Sequence, residues 1–351
     1  MNRRSFLQSI AASGVIANIA QGAPAPKIRC GILGIDHAHG IDLLKVALKS
    51  PDFEVVGVCE PDASVRKSFE ANPALQNVRW LSNDDLLKDE SIQMIAIESG
   101  VSRLLDLAHL AIAAGKHIHL DKPAGASLPS FQALLESAEK KNLLVQMGYM
   151  FRYNPGFDFI RRAVREGWLG DIYAIHASMC TDLDAFKRAR IGAFSGGIMF
   201  ELACHLIDII VLLLGAPDKV TAHIRHDSPA QDALADNTLA VLEYPRALVS
   251  VESAAMEPSA FASRRFKVSG TRGTITLNPL EPPAARLVLR EAVGEYAAGS
   301  HTIPFEDLPR HAADLADLAA CIRGERTFEY AKAHDLAVQK TLLQASGMPL
   351  T

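Results

Sequence analysis

The sequence predicts an α/β protein in two parts: a doubly wound parallel sheet, then an α+β domain on a largely antiparallel, open-faced sheet. Three observations carry this. From Lys27 to about Met150, apolar runs without polar alternation take turns with helical patterns, the order of a parallel sheet with right-handed crossovers. Beyond that point strand patterns follow one another with turn signals between them. Between the first strand and the first helix lies GILGIDHAHG (31–40), a glycine turn in the place where a Rossmann domain binds a dinucleotide.

The elements follow in order. KIRCGILGI (27–35) reads as a strand buried on both faces, and 38–49 as a helix. FEVVGVCE (53–60) is the second strand, ASVRKSFEAN a helix, and VRWL (78–81) a short strand. IQMIAIE (92–98) leads to a helix at 103–114 that Gly115 caps. KHIHLD (116–121), a helix at 130–141 and LLVQMGYM (143–150) complete the first part. The second part opens with a helix at 155–167. Its strands are 171–180, 219–226, 237–244, 247–255, 265–277 and 286–292. An apolar helix spans 199–214, and two more close the chain at about 309–323 and 330–346. The expected units are a signal segment at 1–26, a Rossmann domain at 27–148 and an α+β substrate and oligomerisation domain at 149–351.

Length and composition agree. A chain of 351 residues suggests about two domains, and 49% hydrophobic with 22% charged residues supports a buried core. The net charge of −4 argues against nucleic acid as the main partner. No apolar run reaches transmembrane length. The start is read as a targeting segment: Arg3-Arg4, then Ser5, Phe6 and Leu7, a mildly apolar stretch and QGAPAP. This pattern resembles a twin-arginine export signal and implies a periplasmic or extracytoplasmic destination. The five cysteines show no metal spacing and read as small buried hydrophobes.

Glu60 ends the second strand 20 residues past Gly40, where a carboxylate accepts ribose hydroxyls. It favours NAD over NADP, although Arg66 and Lys67 lie close by. DKP (121–123) sits where a parallel strand ends, the edge at which ligands gather. In GGIMFELACHLID (196–208), Glu201, His205 and Asp208 fall at i, i+4 and i+7, a polar stripe on an otherwise apolar helix. Burying two acids and an imidazole is costly unless they pair or work. No metal is expected: the two imidazoles of HAH (37–39) stand about 200° apart on a helix. His109, His117 and His119 read as ordinary helix and strand residues.

Four segments in order now resemble the Gfo/Idh/MocA family of NAD(P)-dependent oxidoreductases. They are AGKHIHLDKP (114–123), FRYNP (151–155), GGIMFELACHLIDIIVLLLG (196–215) and VSGTRGTITL (268–277). The resemblance implies that Lys122 is the active-site lysine and His205 the catalytic histidine, with Glu201 where the family usually has aspartate. It implies cofactor contacts from Gly34, Ile35, Asp36, His37, Glu60, Ser99, Gly100, Asp121 and Lys122, and substrate contacts from Arg152 and Asp208. Two departures touch the cofactor. Asp36 and His39 replace fingerprint glycines, and the family's Thr-Pro turn reads ESGV (98–101). Asp36 is expected to cap the helix that begins at His37.

The expected function is hydride transfer from a sugar, polyol or glycoside. His205 would act as base, Lys122 would steady the alkoxide, and Glu201 would orient the imidazole or bind a neighbouring hydroxyl. An exported enzyme has no ready pool of NAD to exchange, which favours a retained cofactor and redox-neutral chemistry: lyase, epimerase or glycosidase action through transient oxidation. The alternative is a non-catalytic carbohydrate-binding protein with a degenerate nucleotide site. The open sheet face suggests a homodimer or homotetramer.

Overall fold

The computed structural model describes residues 26–36, 39–306 and 308–351. The expected export segment (apart from residue 26) and His37 lie outside the described residues.

The first sheet is parallel and runs β2-β1-β3-β4-β5. Its strands are β1 (Ile28–Leu33), β2 (Phe53–Cys59), β3 (Met94–Ile97), β4 (His117–Leu120) and β5 (Val145–Met147). Its helices are α1 (Gly40–Lys49), α2 (Ala63–Phe69), α3 (Asn83–Lys88), α4 (Val101–Ala113) and α5 (Leu128–Lys140). Strand order reverses between β1 and β3, so the crevice beyond their carboxyl ends is the ligand-binding position of this topology. The stretch 78–81 is not a strand of the sheet; Trp80 makes only an isolated bridge to Val58. The sequence reading missed α3, which begins with a capping box between Ser82 and Asp85.

After β5 the chain enters α6 (Pro155–Arg165). Asn154 caps it by accepting from the N–H groups of Gly156 and Phe157, and Pro155 takes the first helical position. Such a cap contributes about 1 kcal/mol. The second sheet holds β6 (Ile172–Ser178), β7 (Lys219–Arg225), β8 (Asn237–Glu243), β9 (Leu248–Ala254), β10 (Arg265–Gly270), β11 (Gly273–Leu277), β12 (Ala284–Leu289) and β13 (Gly299–Pro304), in the order β13-β12-β11-β10-β6-β9-β8-β7. It is antiparallel except where β6 pairs with β9. The helices are α7 (Ala185–Gly192), α8 (Gly197–Leu202), α9 (Cys204–Leu214), α10 (Ala312–Ile322) and α11 (Lys332–Ala345). The single helix expected over 199–214 is interrupted at Ala203, so Glu201 and His205 stand on either side of a joint.

One core joins the two sheets through α9, α11 and the residues after β5. A second core lies under the first sheet. There Leu315, Leu318 and Ala319 of α10 are buried with Ile28, Ile32 and Leu43. The C-terminal part of the chain therefore returns to complete the first domain. All five cysteines are buried and unbridged. Among the described residues no helix is long and apolar enough to cross a membrane.

Candidate active site

The nucleotide turn is built around Gly34 and Gly40. Gly34 has φ +80°, and a Cβ there would stand 2.8 Å from the Ser99 Cβ. Gly40 opens α1 so close to β3 that a Cβ would meet Glu98 at 3.1 Å and Ile35 at 3.3 Å. It thus fills the role of the fingerprint's third glycine, close helix-to-strand packing, one position after His39.

Asp36 does not cap α1. Its Oδ1 accepts the Gly100 N–H at 2.7 Å, across the gap to the start of α4, and its Oδ2 pairs with Arg103 at 3.0 Å. The reason is local. α1 begins at Gly40, too far along the chain for Asp36 to reach its first N–H groups, whereas the α4 amino terminus lies alongside. Among the described residues no side chain caps the first turn of α1, and N–H groups at a helix start suit an anion. Glu60 is buried at the end of β2. It accepts from the Ile35 N–H (2.9 Å), the Asp62 N–H (2.9 Å) and Arg103 (3.0 Å). Arg103 therefore bridges Asp36 and Glu60. The tight glycine turn, the uncapped helix end and the carboxylate closing β2 fit a dinucleotide.

At the carboxyl end of β4, the Lys122 N–H donates to Asp121 Oδ1 at 2.8 Å, and His39 Nδ1 meets the same oxygen at 3.1 Å. Lys122 Nζ reaches Glu201 Oε1 at 2.9 Å and the Glu201 carbonyl at 3.1 Å. Burial alone would lower the Lys122 ammonium, but Glu201 and Asp121 outweigh it and hold it above its ordinary value. Glu201 thus serves the lysine.

His205 is 1% exposed and packs against the rings of Tyr149 and Phe151. Its Nδ1 is buried with no hydrogen-bond partner among the described residues. Burial first, then Lys122, His39 and Arg310, push its pKa well below the ordinary histidine value. The imidazole is therefore neutral at physiological pH, the form that accepts a proton.

Arg152 and Asp208, expected at the substrate, sit in a buried ion-pair network. Both are fully buried, with Asp208 taking Arg152 at 2.6–3.1 Å, Asp335 taking it at 2.6 Å and His334 adding a contact at 3.1 Å. Tyr330 covers the guanidinium at 4.1 Å. The network anchors α9 and α11 beneath His205, and its Asp335 and Tyr330 also line a pocket with Lys332. Asp208 lies one turn past His205 on a helix buried all round, so its side chain meets protein on every side.

A cleft of about 640 Å³, open mouth included, is lined by Asp36, Gly100, Val101, Arg190, Phe194 and Glu201. It joins the nucleotide turn to the Lys122–Glu201 pair. α7, a helix the sequence reading did not include, supplies Arg190 to this cleft, whereas its Arg188 is tied down by Asp232 and Asp236.

A further group was not foreseen. His119, read as an ordinary strand residue, is 1% exposed beside Glu98, His311 and Asp314. Burial alone would lower its pKa, but Asp314 and Glu98 raise it to about 10.

The comparisons with known proteins agree with this fold. Residues 28–149 match the profile described as "Oxidoreductase family, NAD-binding Rossmann fold", and residues 157–276 match "GFO/IDH/MocA C-terminal domain". The chain is 27% identical over 253 residues to the uncharacterized oxidoreductase C115.03 of Schizosaccharomyces pombe, spanning 67% of this chain and 66% of that protein. It is 24% identical over 269 residues to the trans-1,2-dihydrobenzene-1,2-diol dehydrogenase of Bos taurus, covering 75% and 78%. In fold it is similar to the UDP-N-acetylglucosamine 3-dehydrogenase GnnA of Acidithiobacillus ferrooxidans, with TM-score 0.75, 18% identity and coverage of 93% and 98%.

Proposed function

The chain belongs to the Gfo/Idh/MocA family of NAD(P)-binding oxidoreductases, and from that premise we propose that it oxidises a CH–OH group of a sugar, polyol or glycoside. The observation that carries this is the cleft between Asp36–Gly100 and Glu201, with buried Lys122 paired to Glu201 and a buried His205 on the helix that follows. The diol dehydrogenase relative is named for chemistry of this class.

Gly34, Ile35, the start of α1, Glu60, Ser99, Gly100 and Asp121 would hold the dinucleotide. A bound nicotinamide supplies the hydride acceptor. The chain's own residues do the rest. His205 takes the hydroxyl proton, because its burial disfavours charge before the reaction and leaves its lone pair available. Lys122 meets the developing alkoxide, and it is cationic without titrating because Glu201 holds it so. Glu201, with one methylene more than the family's aspartate, is spent on positioning the lysine. Glu60 favours NAD, since a 2′-phosphate would face its carboxylate.

The twin-arginine-type start supports export of the folded, loaded protein, and a cofactor kept through the cycle supports redox-neutral chemistry: transient oxidation that acidifies a neighbouring C–H. The test is to purify the full chain from the cytoplasm, denature it and assay released nucleotide. Close to one NAD(H) per chain is expected. No release, together with no binding on titration, overturns the reading in favour of a carbohydrate-binding protein.

A further inference from the structure

Four ionisable side chains meet where α10 reaches the first sheet. Glu98 follows β3, His119 lies in β4, His311 precedes α10, and Asp314 occupies its first turn. The reaction above uses none of them. From their geometry we infer that His119 Nε2, His311 Nδ1 and Asp314 Oδ2 form a binding site for a divalent cation of the zinc class.

The spacing is the first argument. The three donor atoms all lie within 4.8 Å of one another. Both imidazole-to-carboxylate separations are 3.5 Å. That is too long for a good hydrogen bond. It matches the edge of a tetrahedron around zinc, where ligands at about 2.1 Å stand about 3.4 Å apart. The second argument is the orphaned nitrogens. Among the described residues His119 Nε2 and His311 Nδ1 are both buried without a hydrogen-bond partner, on residues 1% and 8% exposed.

The outer contacts are also those of a metal site. Glu98 Oε1 meets His119 Nδ1 at 3.2 Å, which fixes the ring and turns Nε2 inward. Asp314 Oδ1 accepts the Leu315 N–H at 2.9 Å, which leaves Oδ2 for the centre. His311 holds a left-handed backbone, φ +63°, rare for a non-glycine residue and found where surroundings impose it. A pocket lined by Met150, Tyr153, Arg310, His311 and Asp314 reaches the ligands from outside and provides an entry path. With three protein ligands, the fourth position is left for water or another donor. The cation would clamp α10 to the ends of β3 and β4.

The test uses the full chain, stripped with chelator and titrated with Zn²⁺ alone by calorimetry, with metal per chain counted by elemental analysis. One Zn²⁺ per chain is expected, with a raised thermal midpoint. His311→Asn keeps a residue that tolerates the left-handed backbone, and Asp314→Asn keeps the shape; each should lower affinity more than 100-fold. Glu98→Gln retains all three ligands and should weaken binding roughly 10–100-fold, a readout available even if a ligand variant folds poorly. Absence of one-to-one binding, or unchanged affinity in the folded variants, overturns the site. None of these readouts needs turnover, so the result stands apart from the oxidoreductase reading.

Discussion

Replacing Arg152 with methionine removes a guanidinium from between two buried carboxylates. Three contacts to Asp208 and one to Asp335 disappear together. Both acids are nearly or wholly inaccessible to solvent, so neither is rehydrated, and they face each other. Removing one partner of a buried ion pair costs about 3–5 kcal/mol. The stacking of Arg152 between Tyr149 and Tyr330 is lost as well. At roughly 2–4 °C per kcal/mol for a domain of this size, the thermal midpoint should fall by on the order of 10 °C. Asp208→Asn should cost less, because Asp335 still meets the guanidinium. The assay is denaturant and thermal unfolding of the full chain, beside a nucleotide titration of the folded variants. Retained stability, within about 1 kcal/mol of the parent, together with impaired substrate binding, would refute the argument and return Arg152 and Asp208 to the substrate.

Other outcomes follow from the site. His205→Ala should abolish turnover while leaving the released nucleotide at its parental level; near-normal rates would remove His205 from the mechanism. Asp36→Ala should tighten nucleotide binding about tenfold, roughly 1.4 kcal/mol, by removing a carboxylate beside the phosphates' path. A fluorescence titration with NADH measures this, and weaker binding would mean that Asp36 builds the site through Gly100 and Arg103. The pKa of His205 is lower folded than unfolded, so below the unfolded value of about 6.5 the unfolded chain binds more protons. Its stabilising contribution is thus full above pH about 6.5 and is lost as pH falls toward the folded value. The acid limb of kcat/KM should likewise lie below 6.5, and a limb at or above that pH would contradict a buried neutral base.

Much of this was legible in the sequence because periodicity is local. Uninterrupted apolar runs mark strands buried on both faces, and β1 to β4 stand close to where those runs fall. Glu201 could be singled out because a charge on an apolar helix needs a partner, and Lys122 because it ends a parallel strand in a motif the family shares, although not that each is the other's. What could not be read depends on where distant segments meet. Asp36 looked like a cap for the helix that follows it, and only the position of α4 reveals the nearer amide. Arg152 and Asp208 carried a motif's expectation, and the partners that α11 adds through His334 and Asp335 could not be read from it. His119, His311 and Asp314 come from strands and turns almost 200 residues apart, and no spacing rule joins them. α7 was hidden because its polar face and its single buried turn, around Arg188 and Ile191, give a weak periodic signal.

The return of α10 to the first sheet has a consequence for how the chain is made. Leu315, Leu318 and Ala319 close the core that Ile28 and Ile32 begin. Domains usually fold as they leave the ribosome, amino terminus first. Here the part of the first domain's core that α10 covers, beside α1, stays open until nearly the whole polypeptide has been synthesised. Its assembly is a late, long-range event. A nascent chain cut before residue 312 would present that open part of the core to chaperones and proteases instead of a finished nucleotide-binding domain.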